Sequence, residues 1–274
     1  MEKDNPIGVF DSGIGGLSVL KQFIRFLPYE KYIYLGDTAR VPYGNKSPET
    51  VIKYSIECAE FLLKQNVKLI VVACNTASSI ALDELRKLTN IPIIGMIHPA
   101  ATSALRETIN KRIGVIGTRA TIMSKSYNNI INELSNNKVD IFSKACPLFV
   151  PLVEEGWEKH PATKLIVEDY LTELKEKQID TLVLGCTHYP LLKEAISEFM
   201  PGVNLIDSGE HAAVYALRIL AEQKLLTEEK KEFIQKPHIN FFVTDLLDNF
   251  EKIARRFLGF DIQKPIKINY DWNY

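Results

Sequence analysis

Short apolar runs and segments with helical apolar spacing follow one another along most of this chain. Runs of about five apolar residues bounded by turn formers predict buried strands of a parallel sheet, as at residues 6–11 and 69–73. These two runs lead into segments with apolar residues at helical spacing, at 17–27 and 77–88. Alternation of strands and helices predicts the α/β class, with mainly parallel sheets and helices on both faces.

The same order of elements starts again near the middle of the chain. The segments from Asp11 to Cys74 and from Thr118 to Cys186 both read strand, helix, strand, helix, strand and then a thiol. This repeat predicts two pseudo-symmetric doubly wound domains, with the active site in the cleft where the carboxyl edges of their sheets face each other. The segments after residue 207 are expected to pack on the first half. The predicted domains are residues 1–98 together with 208–274, and residues 99–207.

The second half and the C-terminal part contain further predicted elements. Helical spacing predicts helices near residues 122–134 and 163–177, from Leu191 onward, and near residues 249–256. Residues 146–161 are predicted as a long loop that contains an acidic pair.

Composition and charge place the chain among ordinary globular proteins. The 274 residues are 46% hydrophobic and 24% charged, and 33 basic against 34 acidic side chains give a formal charge of −1. This balance gives no support to a nucleic-acid surface, and no apolar run approaches the ~20 residues that span a bilayer. The N-terminus is acidic and enters a strand directly, which is not typical of a signal peptide, so we expect a cytoplasmic protein without membrane contact.

Four cysteines are present, and their spacing predicts free thiols. None of them forms a CxxC pair and no histidine cluster completes a zinc pattern, so neither a metal site nor a disulfide is expected. Cys58 lies within a helical pattern and Cys146 precedes a proline. We interpret both as small buried apolar residues.

The other two cysteines occupy matched positions. Cys74 and Cys186 each end an apolar run, at the carboxyl edge of a predicted sheet where open α/β folds bind ligands. Each is followed by hydrogen-bonding residues at a predicted helix start, which would lower the pKa of the thiol. Either cysteine alone is more commonly buried and inert, but two matched instances favour function. His188, two residues past Cys186, is a candidate acid–base partner.

A glycine-rich turn follows the first strand. Residues 11–16 read DSGIGG and open the first helix, a setting that suits a carboxylate or phosphate. The turn departs from the GxGxxG dinucleotide fingerprint, so we prefer a small anion. Asp11 has two interpretations, which the segment alone leaves open. It either serves a substrate ammonium or a proton transfer, or it caps the following helix.

Two irregular segments are candidates for contact with a ligand. In the loop 38–48, the residues Pro42, Tyr43 and Gly44 could present backbone N–H groups and a phenol, although a plain long loop is the competing interpretation. Glu154 and Glu155 lie on the predicted loop 146–161, which either covers a pocket or carries a solvated acidic pair.

Six blocks between residues 7 and 192 together resemble the glutamate racemase family: IGVFDSGIGGLSVL, YLGDTARVPYG, VVACNTASS, GMIHPA, CPLFVPLVEEG and VLGCTHYPLL. The paired ACNT and GCTHYP motifs also occur in the wider superfamily of aspartate racemases. The resemblance implies interconversion of L- and D-glutamate without pyridoxal phosphate, metal or other cofactor, for peptidoglycan synthesis. A homodimer is expected.

The resemblance also implies roles for individual residues. Cys74 would deprotonate the D enantiomer and Cys186 the L enantiomer, with Asp11 as the partner of the first thiol and His188 of the second. Glu154 would lie near the second thiol, with Glu155 as the alternative. The implied substrate-binding positions are Asp11, Ser12, Pro42, Tyr43, Gly44, Asn75, Thr76, Thr187 and His188.

Three other functions remain open at the level of sequence. A thiol racemase or isomerase acting on another dicarboxylate, such as aspartate or maleate, would share both cysteines. A cysteine hydrolase would use Cys186 and His188 but leave Cys74 without a role. A small-anion binding protein would bind its ligand without turnover.

Overall fold

Two parallel sheets form the framework of the protein, which is described here by a computed structural model covering residues 2–228, 237–246, 248 and 250–268. In spatial order, the first sheet contains β10 (Ile266–Lys267), β9 (Ile239–Val243), β2 (Tyr32–Gly36), β1 (Ile7–Asp11), β3 (Leu69–Val72) and β4 (Ile93–Gly95). The second contains β6 (Asp140–Ala145), β5 (Arg112–Gly117), β7 (Thr181–Gly185) and β8 (Asn204–Asp207). All neighbouring strands in both sheets are parallel, which confirms the predicted α/β class.

The two sheets repeat one topology. The order β2-β1-β3-β4 of the first sheet corresponds to β6-β5-β7-β8 of the second, so β3 and β7 are equivalent strands. In each sheet the strand order changes direction beside one strand, β1 in the first sheet and β5 in the second. Open α/β sheets form their binding crevice at such a point. The predicted pseudo-symmetry is therefore present in the strand order, and β9 and β10 extend only the first sheet, beside β2.

Twelve helices of the described residues connect and cover these strands. Those of the first half are α1 (Leu17–Phe26), α2 (Pro48–Lys64), α3 (Asn75–Ile80), α4 (Leu82–Arg86) and α5 (Ile97–Glu107). The next are α6 (Arg119–Met123), α7 (Ser126–Ser135), α8 (Phe149–Glu154), α9 (Pro161–Glu176) and α10 (Lys193–Phe199). The last two, α11 (Ser208–Glu222) and α12 (Phe250–Leu258), pack against α1, and α11 also contacts α5. None of the helices in the described ranges is long and apolar enough to cross a membrane.

Local sequence signals account for several helix starts. Ser47 accepts a hydrogen bond from the Thr50 amide at the start of α2, and Pro48 occupies the first position, where its missing N–H costs nothing. Asp207 caps α11 in the same way, through the amides of Gly209 and Glu210. Such caps supply partners for amides that the first turn of a helix leaves unpaired.

Four predicted boundaries were wrong. The helix predicted at 77–88 is divided at Ala81 into α3 and α4, and the one at 122–134 is divided into α6 and α7 because Lys125 adopts a left-handed conformation (φ 55°). The predicted loop 146–161 contains helix α8. Residues 189–192 form a 3-10 turn, so α10 begins only at Lys193. The last helix begins at Phe250, and the predicted start at Asn249 lies outside the described residues.

The largest apolar core spans both halves of the chain. It joins residues of β1 and α1, such as Val9 and Leu20, with residues of the second sheet and α8, such as Leu184 and Phe149. Burial of this much apolar surface favours one compact unit rather than two loosely tethered domains. The boundaries at residues 98 and 207 therefore stay a prediction, although the strands after residue 208 do join the first sheet.

Candidate active site

A cavity of about 250 Å³ lies at the carboxyl ends of the strands, between the two halves. Its wall contains Cys74, which follows β3, and Cys186, which follows the equivalent strand β7. The residues of both halves that surround it are Ser12, Gly13, Ile14, Val41, Pro42, Tyr43, Gly44, Asn45, Cys74, Asn75, Thr76, Thr118, Arg119, Pro147, Val150, Pro151, Glu154, Cys186, Thr187 and His188. The fold therefore brings both thiols to one small cavity.

Nearly all the residues predicted from sequence line this cavity. The exceptions are Glu155, the alternative to Glu154, and Asp11, which is buried behind the wall beside Cys74. The predicted residues in the wall are Ser12, Pro42, Tyr43, Gly44, Cys74, Asn75, Thr76, Glu154, Cys186, Thr187 and His188.

Cys74 lies in a buried and acidic environment. Its Sγ is 3.6 Å from Ser12 Oγ, and its side chain is 6% exposed at the start of α3. Burial, followed by the charge of Asp11, raises the pKa of the Cys74 thiol to about 12. The expectation that the helix start would lower this pKa was wrong, because the hydrogen bond from the Ala77 amide is weaker than the cost of burying a thiolate. Cys74 is accordingly a protonated thiol in this state.

Asp11 does not cap the helix that follows it. Helix α1 begins only at Leu17, and its cap residue, Gly16, makes no side-chain cap bond. Asp11 Oδ2 instead accepts a hydrogen bond from the Gly13 amide at 3.0 Å, while Oδ1 is buried without a partner in the described part of the chain. Burial raises the pKa of Asp11, and the facing His188 opposes that shift. One oxygen of the carboxyl group, Oδ1, thus remains for a role beside Cys74.

Close packing makes two glycines of this turn necessary. A Cβ on Gly16 would lie 2.4 Å from Asp11 Cβ, and one on Gly15 would lie 2.4 Å from the side chains of His188 and Thr187. The glycine-rich turn therefore lets β1 and the segment after β7 approach each other across the site.

Cys186 belongs to a chain of three polar side chains. Its Sγ is 3.8 Å from His188 Nδ1, and His188 Nε2 is 3.0 Å from Glu154 Oε1. Burial lowers the pKa of His188, but the hydrogen bonds and charges of Cys186 and Glu154 outweigh it and raise that pKa to about 10. The imidazole is therefore a cation near neutral pH. Glu155 is absent from the cavity wall, so the geometry selects Glu154 of the two candidates.

The loop 38–48 reaches the cavity, but the phenol of Tyr43 does not serve it as expected. Tyr43 Oη donates a hydrogen bond to the buried carboxylate of Asp37. That carboxylate also accepts bonds from Arg40 Nε at 2.7 Å and from Thr244 Oγ1 at 2.9 Å. The loop is therefore held in place by a network of buried polar groups around Asp37.

Asn75 and Thr76 are both fixed by hydrogen bonds. Asn75 Oδ1 accepts a bond from Tyr127 Oη at 2.6 Å, and Asn75 Nδ2 donates to Ser208 Oγ at 3.2 Å. The second hydrogen of that amide remains for a ligand. The hydroxyl of Thr76 bonds those of Thr118 and Thr121.

Three threonine hydroxyls, here called the threonine triad (Thr76, Thr118 and Thr121), connect the two halves. Thr118 Oγ1 is 2.9 Å from the hydroxyls of both Thr76 and Thr121, and the latter two are 3.2 Å apart. Sequence analysis missed Thr118, Thr121, Arg119, Tyr127 and Ser208 as parts or supports of the site. The internal repeat did indicate Thr118, because Thr118 follows β5 in the same way that Ser12 follows β1.

The arrangement suits the movement of a proton on and off a small substrate. One thiol is protonated and lies near a carboxyl group, and the other lies near an imidazolium held by a carboxylate. No group of three or more His, Cys, Asp or Glu side chains within the described ranges is arranged to hold a metal ion. Serine, threonine and asparagine side chains supply hydrogen-bond donors for carboxylates.

Comparison with known proteins gives one consistent result. A model of the Asp/Glu/hydantoin racemase family matches residues 7–216. The glutamate racemase of Geobacter metallireducens is 50% identical over 254 residues, which are 92% of each chain. A crystal structure of glutamate racemase from Francisella tularensis in complex with D-glutamate superposes with a TM-score of 0.90 at 38% identity, covering 98% of this chain and 99% of that one. For the enzyme of Thermus thermophilus in complex with β-chloro-D-alanine, the TM-score is 0.87 at 42% identity, covering 98% of both chains.

Proposed function

The chain belongs to the Asp/Glu/hydantoin racemase family and interconverts the two enantiomers of glutamate, and from this premise we propose that Cys74 and Cys186 are its two acid–base groups. In the direction from L to D, the Cys186 thiolate removes the proton from Cα. The Cys74 thiol then donates a proton to the other face of the carbanion, which inverts the centre. In the reverse direction the two sulfurs exchange roles.

The observation that carries this proposal is the convergence of two thiols with different neighbours on one cavity. Cys74, with its pKa raised to about 12, is suited to hold and deliver a proton. Cys186 has the His188 cation beside it as a counter-charge for a thiolate. After one turnover from L to D, Cys186 carries the proton and Cys74 is the thiolate, so exchange with water or reverse turnover must restore the first state.

The proton on Cα of an amino acid is very weakly acidic, and the site must stabilise the carbanion as charge builds. Preorganised donors in a small, dry cavity are suited to this task. We assign substrate binding to the side chains of Ser12, Asn75, Thr76, Thr187 and His188, and to the backbone of Pro42, Tyr43 and Gly44, with Asp11 acting from behind the wall as the partner of Cys74. The single free hydrogen of the Asn75 amide points to one carboxylate contact.

Several wider properties complete the proposal. We expect the reaction to need no metal and no pyridoxal phosphate, and we place the protein in the cytoplasm as a homodimer that supplies D-glutamate for peptidoglycan. Turnover that survives dialysis against a chelator supports the first of these expectations. Activity lost on dialysis and restored only by a metal would contradict it.

Isotope exchange during turnover tests the two-base reaction. With L- or D-glutamate in heavy water, product should carry deuterium at Cα from the first turnover, while the remaining substrate gains little early on. The hydrogen in the product comes from the second, solvent-exchanged thiol. A product that retains the original hydrogen would mean that a single base both removes and returns the proton.

Cysteine variants provide the matching genetic test. Cys74→Ala and Cys186→Ala should each lower turnover by a factor of at least about 1000, since each tenfold is only ~1.4 kcal/mol of barrier. Cys146→Ala is the matched control, because that buried cysteine is outside the cavity wall, and it should keep turnover within about twofold of the parent. Parallel assays with aspartate separate glutamate racemisation from action on another dicarboxylate.

A further inference from the structure

Helix α12 contacts the acid–base residues of the other half of the molecule. It packs against α1, yet its residue Arg256 reaches across to α8. Arg256 Nη2 donates hydrogen bonds to the carbonyl oxygens of Val153 and of Glu154, the latter at 3.1 Å. These are the last two residues of α8, and the second of them is the partner of His188.

Helix α8 needs such an external support. It has six residues, fewer than the roughly 12–15 that an isolated helix needs for stability in water. The Val153 carbonyl already accepts a hydrogen bond from the Gly156 amide at 3.1 Å, and Arg256 adds a further donor to it, a donor to the Glu154 carbonyl and a favourable positive charge. Arg256 therefore completes the end of the helix from which Glu154 projects.

The chain beyond α8 turns closely around the same guanidinium group. Gly156 adopts a left-handed conformation (φ 77°), and a Cβ at this position would lie 2.7 Å from Arg256 Nη1. Glu158, two residues later, forms an ion pair with Arg256 Nε at 3.1 Å. The guanidinium is thus bound on several sides, which leaves it little freedom to move relative to Glu154.

The next residue of α12 contacts the histidine itself. Phe257 is 2% exposed, and its ring lies edge-on to the His188 ring at a centroid distance of 5.8 Å and an angle of 89°. Adjacent residues of one helix therefore contact both members of the His188–Glu154 pair, one through the backbone of Glu154 and the other through the imidazole ring.

We propose that Arg256 and Phe257 are positioning residues that hold Glu154 and His188 in line with Cys186. Through them, a helix packed on the first half fixes the acid–base groups of the second half. The inference rests on the proposed two-thiol function. Proton transfer between side chains is efficient only near hydrogen-bond distance, so a small displacement of Glu154 weakens the orientation and charge of His188.

Titration of His188 by NMR, in variants of the ligand-free full-length chain, tests this proposal without reliance on activity. Arg256→Gln removes the charged guanidinium group. Arg256→Lys keeps the positive charge but lacks the planar arrangement of N–H donors. Arg255→Gln is the matched control, since Arg255 is 69% exposed and pairs only at the surface with Asp261. The resonance of His188 is identified by its loss in His188→Gln. The charged or titratable groups facing His188 are Asp11, Cys186 and Glu154, and none of them changes in these variants.

We expect Arg256→Gln to shift the His188 titration to lower pH, Arg256→Lys to restore part of the shift, and Arg255→Gln to leave it unchanged. Phe257→Leu should broaden or move the same resonance. In steady-state assays, kcat/KM of Arg256→Gln should fall about fivefold, equally in both directions because the equilibrium constant is fixed. The control should stay within about twofold.

The proposal is overturned if Arg256→Gln only lowers the unfolding temperature, while its His188 titration and kcat/KM match those of Arg255→Gln in the folded protein. Failure of the proposed function has a different signature. It would appear in the parent protein, as a product without deuterium or as near-normal turnover of Cys186→Ala, whatever the Arg256 variants do.

Discussion

At the scale of single residues, two equivalent thiols have unequal neighbours. Cys74 and Cys186 follow matching strands, but a buried carboxyl group accompanies the first, and an imidazolium with its own carboxylate accompanies the second. The fold is thus nearly symmetric while the electrostatics are not. The proposed two-thiol reaction does not require chemically identical bases, because in it each thiol exchanges a proton only with its own face of Cα.

The contact between Glu154 and His188 predicts a specific effect of pH. Glu154→Gln removes a charge that raises the pKa of His188, so that pKa should fall from about 10 and the imidazole should lose its charge at lower pH. The alkaline limb of the kcat/KM profile should then move to lower pH, with a loss of about tenfold, or ~1.4 kcal/mol, at the optimum. Glu155→Gln is the matched control and should leave the profile unchanged. Equal effects of the two variants would contradict the assignment.

The charge of Asp11 predicts a change in the reactivity of Cys74. Burial and then Asp11 raise the pKa of this thiol, so Asp11→Asn should lower it. More thiolate would be present at about pH 8, and iodoacetamide should alkylate Cys74 faster than in the parent, as measured on the isolated peptide by mass spectrometry. Turnover should fall more from D to L than from L to D, with compensating changes in KM. Slower alkylation of Cys74 in the variant would show that Asp11 assists ionisation instead.

At the scale of elements, short segments around the cavity depend on partners elsewhere in the chain. The loop 38–48 is fastened by Asp37, and helix α8 is capped by Arg256. The rigid sheets therefore determine the positions of the thiols, while buried polar contacts determine the positions of the residues around them.

Removal of one hydroxyl group tests the support of the loop. Tyr43→Phe keeps the aromatic packing but deprives Asp37 of a donor, which should lower the free energy of unfolding by about 1–3 kcal/mol in urea titrations. KM should rise more than kcat falls, because we propose that the loop backbone contacts both enantiomers of the substrate. Tyr54→Phe is the control, since the Tyr54 ring packs on Tyr43 and under Arg40, and these contacts survive the change. A Tyr54→Phe variant as unstable as Tyr43→Phe would count against the argument.

At the scale of the whole molecule, the halves are joined by a common apolar core and by polar contacts across the cavity. The core fixes their average arrangement, whereas the threonine triad connects α3 of one half with the start of α6 in the other. The Cβ that Gly44 lacks would lie 2.9 Å from Thr118 Cβ, so the loop 38–48 also closes against the second half. We expect access to the cavity to depend on how firmly these contacts hold the halves together.

The triad gives a prediction about closure. Thr118→Val removes the hydroxyl that bonds Thr76 at 2.9 Å and caps the Thr121 amide at 3.2 Å. We expect a loss of about 1 kcal/mol in unfolding free energy and a severalfold rise in KM, since the cap and the contact between halves are both lost. Thr121→Val keeps the 2.9 Å contact between Thr76 and Thr118, so the KM of this variant should change less than twofold. Unchanged KM in Thr118→Val would show that closure does not depend on the triad.

Sequence alone determined the class of fold, the internal repeat and the two thiols. The length and spacing of apolar runs are local properties of the sequence. Strands such as β3 and β7, and the cysteines that follow them, can therefore be located without coordinates. The resemblance of six blocks to a known family added roles for these candidates and further binding positions, and of all the candidates only Asp11 and Glu155 do not line the cavity.

Only the tertiary structure decided the contacts between segments distant in the chain. It selected Glu154 over Glu155, turned the Tyr43 phenol toward Asp37, and raised the pKa of Cys74 where a helix start alone predicted a lower value. Each of these depends on burial or on a partner brought close by folding, such as the contact of Arg256 with Glu154. Local patterns along a chain record which residues form strands and helices, but desolvation and long-range pairing exist only once the chain is packed.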